Sequence, residues 1–483
     1  MPVAYSGNCT VAYWRCEMGD QPKSSSDLLA KAGKPAALVI GAGIAGIQAA
    51  LDIADAGFPV YLVEREPSVG GRMSQLDKTF PTLDCSACIL TPKMVTAGQH
   101  PNINLMTYSE VAHVEGESGA FHVTVRKKPR YVDEDKCRGC GDCAAACRMT
   151  GRIPDTFNQG LGKRAAVYVS FPQAVPLIYT VDPEACLYLT RGVCGKTFKC
   201  KDACTSGAIN FDQKEQLIEL DVATIIVATG FDMMEPRQKP EFGYGVYPQV
   251  LTGLEFERLS SASGPTMGEI SIHGKKPKDV VFIHCVGSRD PHTGVPYCSR
   301  ICCMYTAKHA HLVRDKLPEA NITSFYMDVR AFGKGYEEFY DRVKHERILY
   351  RRGEPSEVYR RGGRLVVRAE DTFLRKTVEV EADMVVLATA VVPRADMAQT
   401  AELLGLERSP DGFFKEAHPK LRPIESNRPG VFLAGCCQGP KDIPDTVAQA
   451  KAAASSAMVT LSQISRSRPL VKVPGANGPI GGG

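Results

Sequence analysis

Cys137-x2-Cys140-x2-Cys143-x3-Cys147 is the densest chemical signal in the sequence. Three thiolates at that spacing wrap one corner of a four-iron, four-sulfide cube, and the x3 step sends the fourth thiolate elsewhere. Zinc sites space their CxxC pairs well apart, so iron and sulfide are the expected occupants. A second set, Cys186, Cys194, Cys200 and Cys204, is more widely spaced and ends on the same x3 step. A third, Cys285, Cys298, Cys302 and Cys303, opens at the end of the apolar run VVFIHC. Cys85 and Cys88 form a CxxC pair, while Cys9 and Cys16 stand alone near the N-terminus. Together these four make up a fourth ligand set. The competing readings are a redox-active CxxC and small buried hydrophobes. Cys436 and Cys437 read as a buried pair of thiols in the core. Eighteen cysteines without a signal-peptide layout point to a cytoplasmic chain whose thiols stay reduced, so soft-metal ligation fits better than a disulfide framework.

Gly41-x-Gly43-x-x-Gly46 carries a second kind of chemistry. Its glycines permit a tight turn and let backbone N–H groups approach a pyrophosphate at a helix N-terminus that includes Ala45. Glu64 ends the next apolar run, beside Arg65, where a carboxylate can bind the ribose hydroxyls of an adenine dinucleotide. The ten histidines show no metal-ligand spacing, and no Ser-His-Asp arrangement can be argued. His284 and His309 read as residues packed around a cluster.

The elements that must position these residues are visible in the apolar pattern. Ala36 to Glu66 is strand, Gly-rich turn, amphipathic helix and strand, a βαβ unit. DVATIIVATGF (221–231) is a buried strand running into Ala228-Thr229-Gly230, and EADMVVLATAVVPR (381–394) repeats its pattern. KDVVFIHCVGSRD (278–290) opens another βα unit, in which thiols and bulky residues stand where a Gly-rich phosphate turn belongs, so NADPH binding is expected to be lost. GVFLAGCCQG (430–439) supplies a last strand before a helix from about Ile443 to Leu461 that carries Asp445, Thr446 and Val447. The composition of 131–212 differs from both flanks and reads as an inserted domain.

The expected division is therefore an N-terminal cysteine-bearing segment (1–34), FAD-binding parts at 35–130, 213–277 and 393–466, the insert at 131–212, a degenerate nucleotide-binding-like domain at 278–392 and a Gly/Pro tail at 467–483. With 44% hydrophobic and 23% charged residues, 483 residues can bury a large core. A net charge of +4 is too small to imply nucleic acid or a membrane surface. No window of about eighteen apolar residues marks a transmembrane helix.

Several of these features resemble known families. Gly70-Gly71-Arg72, shortly after Glu64, resembles the second glycine motif of two-dinucleotide-domain flavoproteins, and the two Ala-Thr strands resemble the same superfamily. This places the chain near thioredoxin-reductase-like α/β flavoproteins and favours FAD over NAD. The first two cysteine sets resemble a two-cluster bacterial ferredoxin. That resemblance implies one cluster on Cys137, Cys140, Cys143 and Cys204, and another on Cys186, Cys194, Cys200 and Cys147. Arg148 and Thr205 stand where such ferredoxins carry proline.

HCVGSRD and YCSRICCMYTAKHA, with the inserted ferredoxin and the flavin motif, closely resemble the A-type subunit of heterodisulfide reductase over nearly the whole chain. The resemblance implies an oxidoreductase with FAD and three to four [4Fe–4S] clusters, the third set held beside the flavin, and a catalytic Lys308 near the isoalloxazine; the bland reading of Lys308 is a solvated helix face. Cys436 and Cys437, after Gly435, stand where related flavoproteins carry Gly-Asp. It further implies flavin-based electron bifurcation or confurcation in a multi-subunit complex, with B- and C-type and electron-input subunits, ferredoxin as a candidate partner and a homodimer within the complex. Two alternatives stay open: a self-sufficient NAD(P)H-dependent iron–sulfur flavoprotein, and a non-bifurcating wiring subunit.

Overall fold

The structure, a computed structural model, describes residues 34–194 and 197–467. The first βαβ unit forms as its pattern dictates: β1 (Ala37–Ile40), α1 (Ile44–Asp55) and β2 (Val60–Glu64). Along β1, Ala37 and Val39 enter the core on one face of the sheet, while Leu38 and Ile40 pack on the other. A strand apolar on both faces belongs inside a parallel sheet. After α2 (Ser86–Gln99), β3 (Ile103–Thr107) and β4 (Thr224–Val227) extend that sheet.

The chain then builds a second parallel sheet from β5 (Val250–Thr252), β6 (Asp279–Val286), β7 (Asn321–Tyr326), β8 (Ile348–Arg352) and β9 (Met384–Thr389). Their spatial order is β5-β9-β6-β7-β8. Helix α3 (Gly253–Ser260) follows β5, and α4 (Cys302–Lys316) lies between β6 and β7 in the chain. Because β5 pairs with β9, this sheet draws in residues upstream of 278. The chain returns through β10 (Glu416–His418), β11 (Arg422–Ser426) and β12 (Val431–Leu433). The completed first sheet reads β10-β11-β12-β4-β1-β2-β3.

Helix α5 (Ile443–Ser467) runs six residues past Leu461 and packs its alanines, Ala450, Ala453, Ala454 and Ala457, against the core that α1 shares. Small side chains allow that close approach. The described residues of 131–212 form short hairpins and three short helices, Asp142–Ala145, Leu187–Arg191 and Lys199–Asp202, around a core made largely of cysteine, valine and alanine. Among the described residues no helix is long and apolar enough to cross a membrane.

Candidate functional site

A cavity of about 800 Å³ opens at the carboxyl ends of β1 and β4, where a doubly wound sheet binds its ligand. Gly41 and Gly43 form its floor, with Ala228, Thr229 and Gly230 opposite. Gly41 has φ +99°, and a Cβ there would lie 2.5 Å from the Ala228 carbonyl oxygen, so only glycine fits. Ala45, Arg65, Gly71, Arg72 and Thr446 also line the cavity. Gly46 acts through packing instead: its Cβ would meet the Gly41 carbonyl oxygen at 1.8 Å. Gly435, Asp445 and Val447 stand outside the lining. Asp445 is committed to an ion pair with Arg300 at 2.7 Å, and the Gly435 N–H donates to Gln449 Oε1 at 2.8 Å.

Glu64 is buried at one end of the cavity, and burial pushes its carboxyl up. Its Oε2 accepts the Ala42 N–H at 2.7 Å, and its Oε1 accepts the Glu66 N–H at 2.9 Å. The carboxylate is thereby fixed beside the glycine turn. Arg65 and Arg72 are held by Asp396 and Asp232, at 2.5 Å and 3.0 Å.

The other end is built by α3 and α4. Lys308 is 1% exposed, which removes the solvated-face reading. Its Nζ donates to the Lys78 carbonyl at 2.9 Å and to the Glu257 carboxylate. His309 Nε2 meets the same Glu257 oxygen at 2.6 Å, so His309 belongs to this triad rather than to a cluster shell. Burial works against a charged Glu257, yet Lys308 and His309 hold its carboxyl down at about 2. Burial also lowers His309. Tyr305, one turn before His309, lines the cavity with a buried hydroxyl that has no protein partner. Glu257 gave no signal in the sequence, where it is one charged residue in an ordinary amphipathic helix.

The insert also reaches the cavity, which its cysteine-rich composition did not suggest. Asp155, Thr156, Phe157, Tyr168 and Phe171 line it. Phe157 stacks on Phe171 with ring centroids 4.8 Å apart. Arg258, fully buried on α3, fastens this wall by donating to Asn158 Oδ1 at 2.9 Å and to the Gln75 carbonyl at 3.1 Å.

The cysteines fall into groups. Cys143 is pushed up to about 12 by burial and then by neighbouring Cys137, Cys204 and Cys140. Cys200 is pushed up to about 11 by burial and then by Cys147, Cys186 and Cys194. Cys147 shares the lining of one small cavity with Cys186, Cys194 and Cys200, while Cys204 lies near Cys143.

In the second sheet, a register shift after Ile283 and a left-handed φ of +56° at Cys285 turn that residue toward α4. Cys285, Cys302 and Cys303 cluster with Ala388, against Tyr305. Cys298 precedes α4 and accepts the Arg300 N–H at 3.4 Å, and Arg289 feels both Cys285 and Cys298. His284 Nε2 pairs with Ser324 Oγ at 2.8 Å. Among the described residues no three Cys, His, Asp or Glu side chains surround a single metal ion.

Cys85 and Cys88 are joined in a disulfide at the start of α2, which departs from the reduced thiols and the fourth ligand set expected of them, since a sulfur bonded to sulfur is not free to bind iron. Cys9 and Cys16 lie outside the described residues. Cys437 is buried in the core, whereas Cys436 lines the cavity.

Fold and cavity together define a two-dinucleotide-domain flavoprotein of the FAD-dependent oxidoreductase class, and the family model described as FAD dependent oxidoreductase matches residues 37–84. The A-type subunit of the H(2):CoB-CoM heterodisulfide,ferredoxin reductase of Methanothermobacter thermautotrophicus is 52% identical over 429 residues, 88% of this chain and 64% of that protein. The iron-sulfur A-type subunit of the CoB--CoM heterodisulfide reductase of Methanocaldococcus jannaschii is 53% identical over 431 residues, with the same coverage. A protein of Archaeoglobus profundus described as like the heterodisulfide reductase A-type subunit is 48% identical over 461 residues, 87% of this chain and 65% of that one. The chain belongs to the family of heterodisulfide reductase A-type subunits. It spans a little under two thirds of the length of these curated relatives. Among solved structures, the thioredoxin reductases of T. acidophilum and Lactococcus lactis align with TM-scores of 0.47 and 0.48 at 13% and 14% identity, covering 88% and 89% of this chain and 97% and 100% of theirs.

Proposed function

We propose that the chain is the FAD- and [4Fe–4S]-bearing electron-transfer subunit of a heterodisulfide-reductase-like complex, and that its flavin is the point of electron bifurcation or confurcation. Its partners in this reading are B- and C-type and electron-input subunits, ferredoxin and a second copy of itself. The observation that carries the reading is the regrouping of the cysteines. Cys147 lines one small cavity together with Cys186, Cys194 and Cys200, and Cys204 lies close enough to Cys143 to act on its thiol. A two-cluster ferredoxin requires that exchange, and scattered buried thiols do not.

FAD supplies two-electron exchange at its ring, and [4Fe–4S] clusters supply one-electron steps. The chain's own residues prepare both. The Gly41 turn admits a pyrophosphate, and Glu64 stands where ribose hydroxyls would be received. Lys308 stays buried and hydrogen-bonded by Glu257 at the ring end. Tyr305 packs against the third cysteine set and lines the cavity with its ring, its hydroxyl buried behind.

Iron, acid-labile sulfide and FAD per chain after anaerobic purification test the reading. About sixteen irons with one FAD support a fourth cluster beside those of the three described cysteine sets. About twelve irons leave Cys85 and Cys88 as a redox disulfide. Zinc without iron would overturn the proposal.

A further inference from the structure

Besides Lys308, the far end of the cavity from Glu64 carries Lys441, and the two lysines have opposite surroundings. The charge of Lys308 is cancelled by Glu257. Lys441 Nζ donates to Gln438 Oε1 at 2.5 Å and to the Gly439 carbonyl at 3.2 Å, both neutral acceptors. Among the described residues no carboxylate forms an ion pair with it, and the nearby charges of Glu416 and Arg300 oppose each other. Asp442 accepts the Tyr336 hydroxyl at 2.6 Å and the Asp445 N–H at 2.8 Å. Asp445 pairs with Arg300, and Glu416 accepts from Gln438 at 2.9 Å. Helix α5 starts two residues later and presents Ile443 and Thr446 to the cavity, which adds the positive end of a 25-residue helix.

We infer that Lys441, rather than Lys308, supplies the uncompensated positive charge at the cofactor ring, and that it binds the reduced, anionic ring in preference to the oxidised, neutral one. The inference rests on the flavin reading above. A flavin that has taken up two electrons and one proton carries negative charge along the pyrimidine edge of its ring. A partly buried cation there acts with little screening by salt. Stronger binding of the reduced form raises the reduction potential by linkage. Burial pulls the Lys441 ammonium below its ordinary range, a shift that a neighbouring anion would reverse.

The experiment uses the FAD-loaded protein with Lys441→Met and Lys441→Arg. FAD content is measured first, and a wild-type protein without FAD fails the flavin reading itself. With FAD present, spectroelectrochemical titration should show the Met variant binding reduced over oxidised flavin at least tenfold less favourably than wild type, a more negative potential, with Arg restoring most of it. If the Met variant loses FAD on purification, the same ratio is read by titrating it separately with oxidised and photoreduced FAD. A wild-type potential or ratio in Lys441→Met overturns the inference.

Discussion

Glu257 neutralises Lys308 inside the wall of the flavin cavity, with both side chains cut off from solvent. Breaking a buried pair from one side leaves the other charge without compensation, at a cost of about 3–5 kcal/mol. Glu257→Gln should therefore lower unfolding free energy by about that amount in denaturant titrations, while Glu257→Gln combined with Lys308→Met should recover part of it. Equal stability of the single variant and wild type would show that the pair contributes nothing.

The same triad gives stability a defined pH dependence. The carboxyl of Glu257 is depressed in the fold, so its contribution is complete above the ordinary glutamate value and drains away as pH falls toward about 2. His309 is also depressed, by burial, so protonation opposes folding as pH falls below its ordinary value. Wild type should lose stability in two stages on acidification, the first absent in His309→Gln and the second absent in Glu257→Gln. Chemical denaturation at a series of pH values reads both, and parallel curves for all three proteins would refute the assignment.

Gly41→Ala tests the turn beneath the pyrophosphate. The added Cβ would press on the Ala228 carbonyl in a backbone conformation that alanine avoids. FAD per chain should fall at least tenfold relative to wild type, with iron per chain unchanged because the cysteine groups lie elsewhere.

The first βαβ unit was readable because it is local: apolar period, glycines and terminal acid all fall within about thirty residues. The first cysteine set is equally local, whereas the crossing of Cys147 and Cys204 is an expectation drawn from the resemblance of the first two sets to a two-cluster ferredoxin. Glu257 and the 155–171 wall were not readable, because their roles depend on contacts between segments far apart in the chain. Gln75 meets Phe157 and Arg258 only in three dimensions. Lys308 was ambiguous, since a lysine in a helix names no neighbour until the packing of α3 against α4 is known.

Cys204→Ser and Cys137→Ser should damage the same cluster, although these residues are far apart in sequence. Each should remove about four irons per chain, and the double variant should remove no more than either alone. Cys204→Ser with Cys200→Ser should instead remove about eight. Anaerobic iron analysis with low-temperature EPR distinguishes the cases, and the opposite pattern would mean that ligands are not exchanged.

The second cysteine set also predicts how an acidic electron carrier would approach. Arg148, Arg152, Arg191, Lys199 and Lys201 are exposed on the segments that hold Cys147, Cys186, Cys194 and Cys200. None of the five forms an ion pair with a described carboxylate, and Arg148 lies close enough to Cys194 to act on its thiol. Val193 and Phe198 add exposed apolar surface beside them. Exposed Glu184 and Asp202 offset part of this charge and leave a net positive surface, and such an excess around the proposed cluster raises the rate of encounter with an oppositely charged partner by about 10–1,000-fold at low salt, a gain that salt abolishes. Arg191→Glu with Lys199→Glu should thus slow electron exchange with an acidic ferredoxin about tenfold or more at low ionic strength. The two proteins should converge near 1 M salt, where the screening length is about 3 Å. Stopped-flow rates across a salt series provide the test, and a deficit that persists unchanged at high salt would point to cluster damage rather than lost steering.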